Sequence, residues 1–506
     1  MNKQRSFGVI LQYTQMALQI VINLIYTPVM LRILGDSEYG IYNLASSIIA
    51  YLNLLSLGFG ASYIRFYSRY KADNDEEGVK KLNGLYLLVF LAIGVISLIA
   101  GLIIANNVGI FFNETYTEKD LHIAHILMIF LSVNLAISFP ASVFVSYITS
   151  QERFIFQKIV NMGKTVLSPC LNIAVLFLGY GSIGMVIVTT CISLLVDVIN
   201  VSFCVGKLKM RFSFKNPNFK LLREIASFSI FIAINQIIDQ INWQTDKVIL
   251  GKMVNASAVA IYAVASSINA MYISFSTAIS SVFAPKIHKI VNSGEPDTDK
   301  KLTNLFIKVG RIQFYVIMLV LTGFIFFGQF FIIKWAGDGY ELSYYIALLL
   351  ICPAAISLIQ NMGIEIQRAK NKHQFRSIAY LIMAFFNVGI SILFCYLFGT
   401  IGVAVGTTFA IVFANGLIMN IYYQKKLGID VIRFWKEILK IIPSMLPAIT
   451  LGVLLMIFYT FTGYVDYFLF ILLYVVVYCI FVFLFGTNKA EKNMIKKLLQ
   501  KVLKKR

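Results

Sequence analysis

Windows of about twenty consecutive apolar residues recur from one end of this chain to the other, and no other feature restricts its fold so sharply. A helix of that length crosses the ~30 Å hydrocarbon layer of a bilayer. The 506 residues are 58% hydrophobic and only 13% charged, so most of the chain belongs in lipid. The runs are continuously apolar rather than alternating over about ten residues, which predicts helices and not a barrel. The pattern gives fourteen spans, from the first at 8–33 to the last at 465–485.

The net charge of +20 could suggest a nucleic-acid partner, but its distribution argues against one. Nearly all Lys and Arg fall in alternate loops and in the tails, as in Arg65 to Lys81, Lys207 to Arg223, Lys286 to Arg311 and Lys425 to Lys440. This is the positive-inside pattern, and with an even number of spans it predicts that both termini are cytoplasmic. Residues 1–33 are read as a first span rather than a signal peptide. The apolar run is too long, carries Gln12, Gln15 and Gln19, and lacks a small-residue cleavage site. The six cysteines lie in apolar stretches without CxxC spacing and are read as packing residues.

The chain also resembles itself. "IYNLASSI" at 41–48 returns as "IYAVASSI" at 261–268, and "KKL" at 80–82 returns at 300–302 in the same register. Farther on, "GSIGMVIVTT" at 181–190 returns as "GTIGVAVGTT" at 399–408. The fold class expected is therefore an all-α polytopic membrane protein with two parallel six-helix repeats plus two C-terminal helices. Its divisions are an N-lobe at 1–222, a C-lobe at 223–430, helices 13 and 14 at 431–488 and a basic amphipathic tail at 489–506. Parallel repeats about an axis along the membrane normal are a transporter architecture, with the substrate site between the halves.

Span 7, "FIAINQIIDQINWQTDKVILG" at 231–251, is the polar exception. Asn235, Asp239, Asn242 and Asp246 are spaced four, three and four, so they share one helix face, and Gln236, Gln240, Trp243 and Lys247 form a neighbouring stripe. An Asp or Lys at a span's centre costs about 2.5–3.5 kcal/mol on insertion scales, so this face must meet water or protein. Span 1 supplies a matching stripe of Gln12, Gln15, Gln19 and Asn23. Aligning Leu34-Gly35 with Leu250-Gly251 sets Gln19 over Asn235 and Asn23 over Asp239, which predicts a cavity between the two spans. The bland alternative is that the amides only join helices to one another.

The run "TPVMLRILGDSEYGIYNLASSIIAYLNLLSLGFGASYIRFYSRY" at 27–70 resembles the opening of bacterial polysaccharide transporters of the multidrug/oligosaccharidyl-lipid/polysaccharide (MOP) exporter superfamily. The matching residues are Pro28, Leu31-Arg32, Leu34-Gly35 and Tyr39-Gly40-Ile41-Tyr42. The resemblance implies a flippase of the bacterial cytoplasmic membrane. It would turn a polyprenyl-pyrophosphate-linked oligosaccharide, of O-antigen, capsule, exopolysaccharide or teichoic-acid type, from the inner to the outer leaflet by alternating access. Partners would be membrane lipids and the glycan polymerase and glycosyltransferases of the same pathway.

That substrate needs cations for pyrophosphate and amides or aromatics for sugar. The cavity residues are candidates for the sugar. Arg65, Arg69, Lys286 and Lys289 are candidates for the pyrophosphate on the cytoplasmic side, with Arg32 and Lys247 near the outer end; basic residues at cytoplasmic helix ends are also expected without any ligand. "GKT" at 163–165 lacks the upstream glycine of a P-loop, where Lys158 stands, so turnover driven by a sodium or proton gradient, membrane potential or substrate flux is expected and no other cofactor. Asn387 and Ser391 lie one turn apart on span 11, and Thr407 faces them if span 12 packs alongside. Related flippases hold sodium with oxygens of similar makeup, and Asp239 is the acid expected to complete such a set; proton uptake or a purely structural role are its other readings. Two rival functions remain. One is a cation-coupled multidrug exporter of the same superfamily. The other is an integral-membrane glycan polymerase or ligase, an enzyme whose catalytic domain the short external loop at 106–120 could not house.

Overall fold

The computed structural model describes residues 3–56, 58–215, 219–293 and 295–493. Every regular element among them is helical: α1 Lys3–Ala50, α2 Phe59–Ala72, α3 Glu76–Asn106, α4 Glu118–Ser150, α5 Phe154–Phe177, α6 Gly181–Ser202, α7 Phe219–Met253, α8 Ala256–Asn292, α9 Thr298–Ala336, α10 Glu341–Ile359, α11 Met362–Ala369, α12 Gln374–Ile411, α13 Met419–Lys426, α14 Val431–Leu439, α15 Leu446–Phe458 and α16 Tyr464–Phe481. Of the tail expected to be amphipathic, everything from residue 494 onward lies outside the described residues, as does the side chain of Gln12.

Among the described residues eleven helices are long and apolar enough to cross a membrane, or twelve when the bent α7 is included, so length and composition do not reach the expected fourteen. Two of the eleven cannot be single crossings. The 48 residues of α1 would make a straight rod of ~72 Å against a ~30 Å hydrocarbon core. Gly35 breaks it with φ 73° and ψ 171°, a conformation open essentially to glycine. Gly399 breaks α12 in the same way, with φ 59° and ψ −137°. There the chain doubles back: Ser391 Oγ lies 3.3 Å from the carbonyl oxygen of Val403, twelve residues on, a pair that a continuous helix would hold ~18 Å apart. Both breaks fall where the sequence ends one span and begins the next.

Packing density groups the chain into two compact units, Met1–Val264 with Tyr380–Thr407, and Ala265–Ala379 with Thr408–Arg506. In the first, α3 lies along α4, and α1 packs on α4, α5 and α7. One end of it is an aromatic core in which Tyr63 meets Tyr86 edge to face at 5.0 Å and Tyr67 meets Tyr147 at 5.6 Å. The phenols are satisfied by polar neighbours: Tyr63 donates to Asn83 Oδ1 at 2.5 Å, and the Ser62 and Tyr86 hydroxyls are paired at 2.8 Å. At the other end, the loop after α3 is clasped to the turn after α7. Asn113 Nδ2 donates to the Val254 carbonyl at 2.9 Å, and Lys252 Nζ donates to that of Phe112 at 3.1 Å.

Backbones also touch here directly. A Cβ built on Gly40 would stand 2.0 Å from the Ala256 carbonyl oxygen, and neither atom can swing away. Gly40→Ala is therefore expected to cost about 1–3 kcal/mol through overpacking, read as a lower melting temperature of the purified protein.

In the second unit α9 packs against α10, α14, α15 and α16. Its Arg311, only 4% exposed, is the hub of a buried polar network. Arg311 Nε and Nη2 grip the Glu491 carboxylate at 2.7 and 3.0 Å, while Nη1 and Nη2 donate to the carbonyls of Glu437 and Gly486 at 2.9 and 2.8 Å. Outside these cores, large apolar side chains such as Ile99 and Ile103 on α3, Ile382 and Phe385 on α12 and Val465 and Leu469 on α16 are exposed, as a lipid-facing surface requires.

Candidate functional site: a buried aspartate on a polar helix

The polar face of α7 is graded by burial. Asn235 is partly buried, Asp239 and Asn242 are exposed, and Asp246 is sealed at 3% exposure. On the adjoining stripe Trp243 is exposed and Lys247 partly buried. The contacts that seat α7 come from α1, the turn after it and α2. Gly251 lies against Leu44, Thr245 is hydrogen-bonded to the Tyr51 hydroxyl, and Gln236 is 3.5 Å from Ser56 Oγ. From the first half of α1, Gln15 and Asn23 are partly buried and Gln19 is exposed.

Asp246 is held from two sides. Tyr262 of α8 donates to its carboxylate, and Thr407 of α12 donates to Oδ2 at 2.9 Å. Thr407 Oγ1 is also 3.4 Å from Asn387 Oδ1, which accepts from Ser391 Oγ at 3.1 Å, and Ser391 reaches the Val403 carbonyl. The fold thus gathers one carboxylate, two hydroxyls, an amide oxygen and a backbone carbonyl on two helices, α7 and α12, with Tyr262 of α8 as a further donor, all of them on buried residues. Local sequence explains the assembly. The Gly399 break turns the two arms of α12 side by side, and the small residues of "ASAVAIYAVASS" let α8 approach closely enough for Tyr262 to reach α7.

Asn387, Ser391 and Thr407 are therefore brought together, but the acid that joins them is Asp246 and not Asp239, which sits two turns earlier and is exposed. Periodicity does not single out Tyr262, whose only signal in the sequence is its place within the repeated "IYAVASSI". Five oxygen-bearing groups carrying one formal negative charge fit a hard monovalent cation: the ligands are oxygen only, and a single carboxylate balances a single positive charge. Among the described residues no three of His, Cys, Asp and Glu come together.

The basic candidates are placed elsewhere. Arg65 lies over the Phe228 ring at 4.2 Å and Arg69 pairs with Glu224 at 3.1 Å, so both lean on the first turns of α7. Lys286 and Lys289, at the end of α8, and Arg32 are exposed.

A comparison with curated proteins found no match. The structure is similar to the lipid II flippase MurJ in an inward closed conformation, with a TM-score of 0.73 and 17% identity over 95% of this chain and 98% of that one. It is also similar to an inward-facing multidrug resistance MATE transporter of the MOP superfamily, with a TM-score of 0.65 and 16% identity over 83% of this chain and 98% of that one. The MATE multidrug transporter DinF-BH gives a TM-score of 0.61 at 16% identity, covering 84% of this chain and 96% of that one. The model of the family described as polysaccharide biosynthesis protein matches residues 8–291, more than half of the sequence. This multi-pass membrane protein has the MOP exporter fold and belongs to the polysaccharide biosynthesis protein family.

Proposed function

We propose that this chain is a flippase for a polyprenyl-pyrophosphate-linked oligosaccharide, sited in the bacterial cytoplasmic membrane with both termini inside, and coupled to sodium at Asp246. The observation that carries the reading is the buried Asp246 cluster, set on a transmembrane helix whose polar face also carries the exposed Asp239 and Asn242, in a chain of a polysaccharide biosynthesis family. Exposed Asn242, Trp243 and Asp239 offer amide, ring and carboxylate to a hydroxyl-rich headgroup.

A bound sodium ion supplies the positive charge that keeps a dry carboxylate ionised. Asp246 provides the charge to hold it, and Asn387 Oδ1, the Val403 carbonyl and the hydroxyls of Ser391 and Thr407 provide neutral oxygens. Thr407 and Tyr262 turn their protons toward Asp246. They tie α7, α8 and α12 together through hydrogen bonds that a cation would replace. Replacing those bonds would shift the contacts between helices, which is the differential interaction alternating access requires.

Two experiments test the reading. Depleting the protein in its host should accumulate lipid-linked glycan on the cytoplasmic side. In proteoliposomes it should bring an added lipid-linked oligosaccharide within reach of an impermeant reagent, faster with an inward sodium gradient. Normal glycan export after depletion, together with no lipid movement in vesicles, would refute it. The multidrug exporter remains the second reading, favoured by the MATE-like fold, and extrusion of cationic dyes without lipid movement would select it.

A further inference from the structure

The first unit holds a polar cavity of about 440 Å³ that shares no residue with the Asp246 cluster. It is walled by the end of α2, the start of α3, the end of α4 and the segment after α6, and is large enough for a small-molecule ligand. Its chemistry is rich in donors. Gln151 Nε2 donates to the hydroxyls of Tyr67 and Tyr147 at 2.8 and 3.1 Å, so each phenol keeps its own proton to give. Lys71, Lys209 and Arg211 line the same space and have no side-chain acceptor among the described residues. Lys80 is paired with Glu77 at 3.3 Å. Of the two lining acids, Asp75 is occupied in capping the Gly78 N–H at 2.7 Å, which leaves Glu76 against three cations.

Lys209 stands where its backbone is a poor host for it. Its φ is 52°, in the left-handed region, at a helix end closed by Met210 N–H to the Cys204 carbonyl and Leu208 N–H to that of Phe203, the position glycine usually takes. The chain contains its own control. After α13 the same closure recurs, Ile429 N–H to Tyr423 and Leu427 N–H to Tyr422, and the residue between is Gly428 with φ 70°. There a cation is satisfied internally, since Lys370 bonds to Asp299 at 2.6 Å and to the Leu427 carbonyl. One end keeps the favoured glycine; the other keeps a strained lysine over a cavity lined by four basic residues and two acids.

We propose that this cavity is a binding site for the phosphate end of a sugar phosphate or sugar diphosphate. Lys71, Lys209, Arg211 and the two phenols take the phosphate oxygens, and Gln151 with the tyrosine rings takes the sugar. The chemistry is shared by a soluble nucleotide sugar and by a lipid-linked headgroup, and the site stands apart from any cation coupling.

The test uses the full chain purified in detergent, with calorimetric titration of UDP-N-acetylglucosamine, farnesyl-diphospho-N-acetylglucosamine and free N-acetylglucosamine. Both phosphate-bearing probes should bind and the free sugar should not; the tighter of the two assigns the source. Lys209→Gly should weaken binding at least about tenfold, the loss of one charge-assisted hydrogen bond, and melt at the same or a higher temperature than the unmodified chain. Arg211→Gln should weaken binding comparably. Absence of saturable binding by both phosphate-bearing probes, undiminished binding in the two variants, or a lowered melting temperature in Lys209→Gly would overturn the proposal.

Discussion

Asp246→Asn is expected to cut sodium-driven transport by about a hundredfold, the scale of removing a charge from a buried, partnered site. Asparagine has the same outline and its Oδ1 can still accept from Tyr262 and Thr407, so folding should survive while the charge that balances a cation is lost. Sodium should raise the melting temperature of the unmodified protein, because a ligand that binds only the folded state stabilises it, and should leave the variant unmoved. Asp239→Asn, on the exposed part of the same face, should keep the sodium effect intact. A protein indifferent to sodium in both forms, with transport that follows pH instead, would replace sodium coupling by protonation.

The second large effect is on stability. Arg311→Met removes the cation from a pair in which both side chains are 5% exposed, leaving Glu491 charged and without its main partner, a loss of about 3–5 kcal/mol. Arg69→Met, at an ion pair more than half exposed, should cost under about 1 kcal/mol. Thermal melting of the two purified variants compares them directly. Burial alone would raise the Glu491 carboxyl, but the Arg311 hydrogen bonds and the Asn488 N–H outweigh it and hold it below the ordinary carboxylate range. A carboxyl depressed in the folded state stabilises fully above its unfolded value and loses that contribution as pH falls through its folded value. The melting temperature should therefore fall on acidification below the usual glutamate range of about 4.3, and less so in a Glu491→Gln chain.

Much of this was legible in the sequence because apolar length and helical spacing are direct physical constraints. The runs ending near Gly35 and Gly399 marked both helix breaks, and the one-turn spacing set Asn387 and Ser391 on one face, where Thr407 meets Asn387. Periodicity shows which face a residue occupies but says little about its depth. Asp239 and Asp246 share a stripe, and mid-membrane position favoured the former. Counting from helix ends would have separated them: Asp246 is ~10 Å before the end of α7 and Thr407 ~12 Å past the Gly399 break, whereas Asp239 is ~21 Å in. The cavity at Lys209 had no periodic signal at all, since it is built from helix ends and the irregular stretch after α6.

The partners of Asp246 also impose an order on biosynthesis. Thr407 is 161 residues downstream, so at about 5–20 residues per second a ribosome delivers it on the order of ten seconds after the acid has been made. Through that interval Tyr262, only sixteen residues away, is the hydrogen-bond partner already made that can shield the carboxylate. The nascent α7 and α8 would then enter the bilayer as a hairpin joined by that bond, with the final arm of α12 arriving as a late keystone.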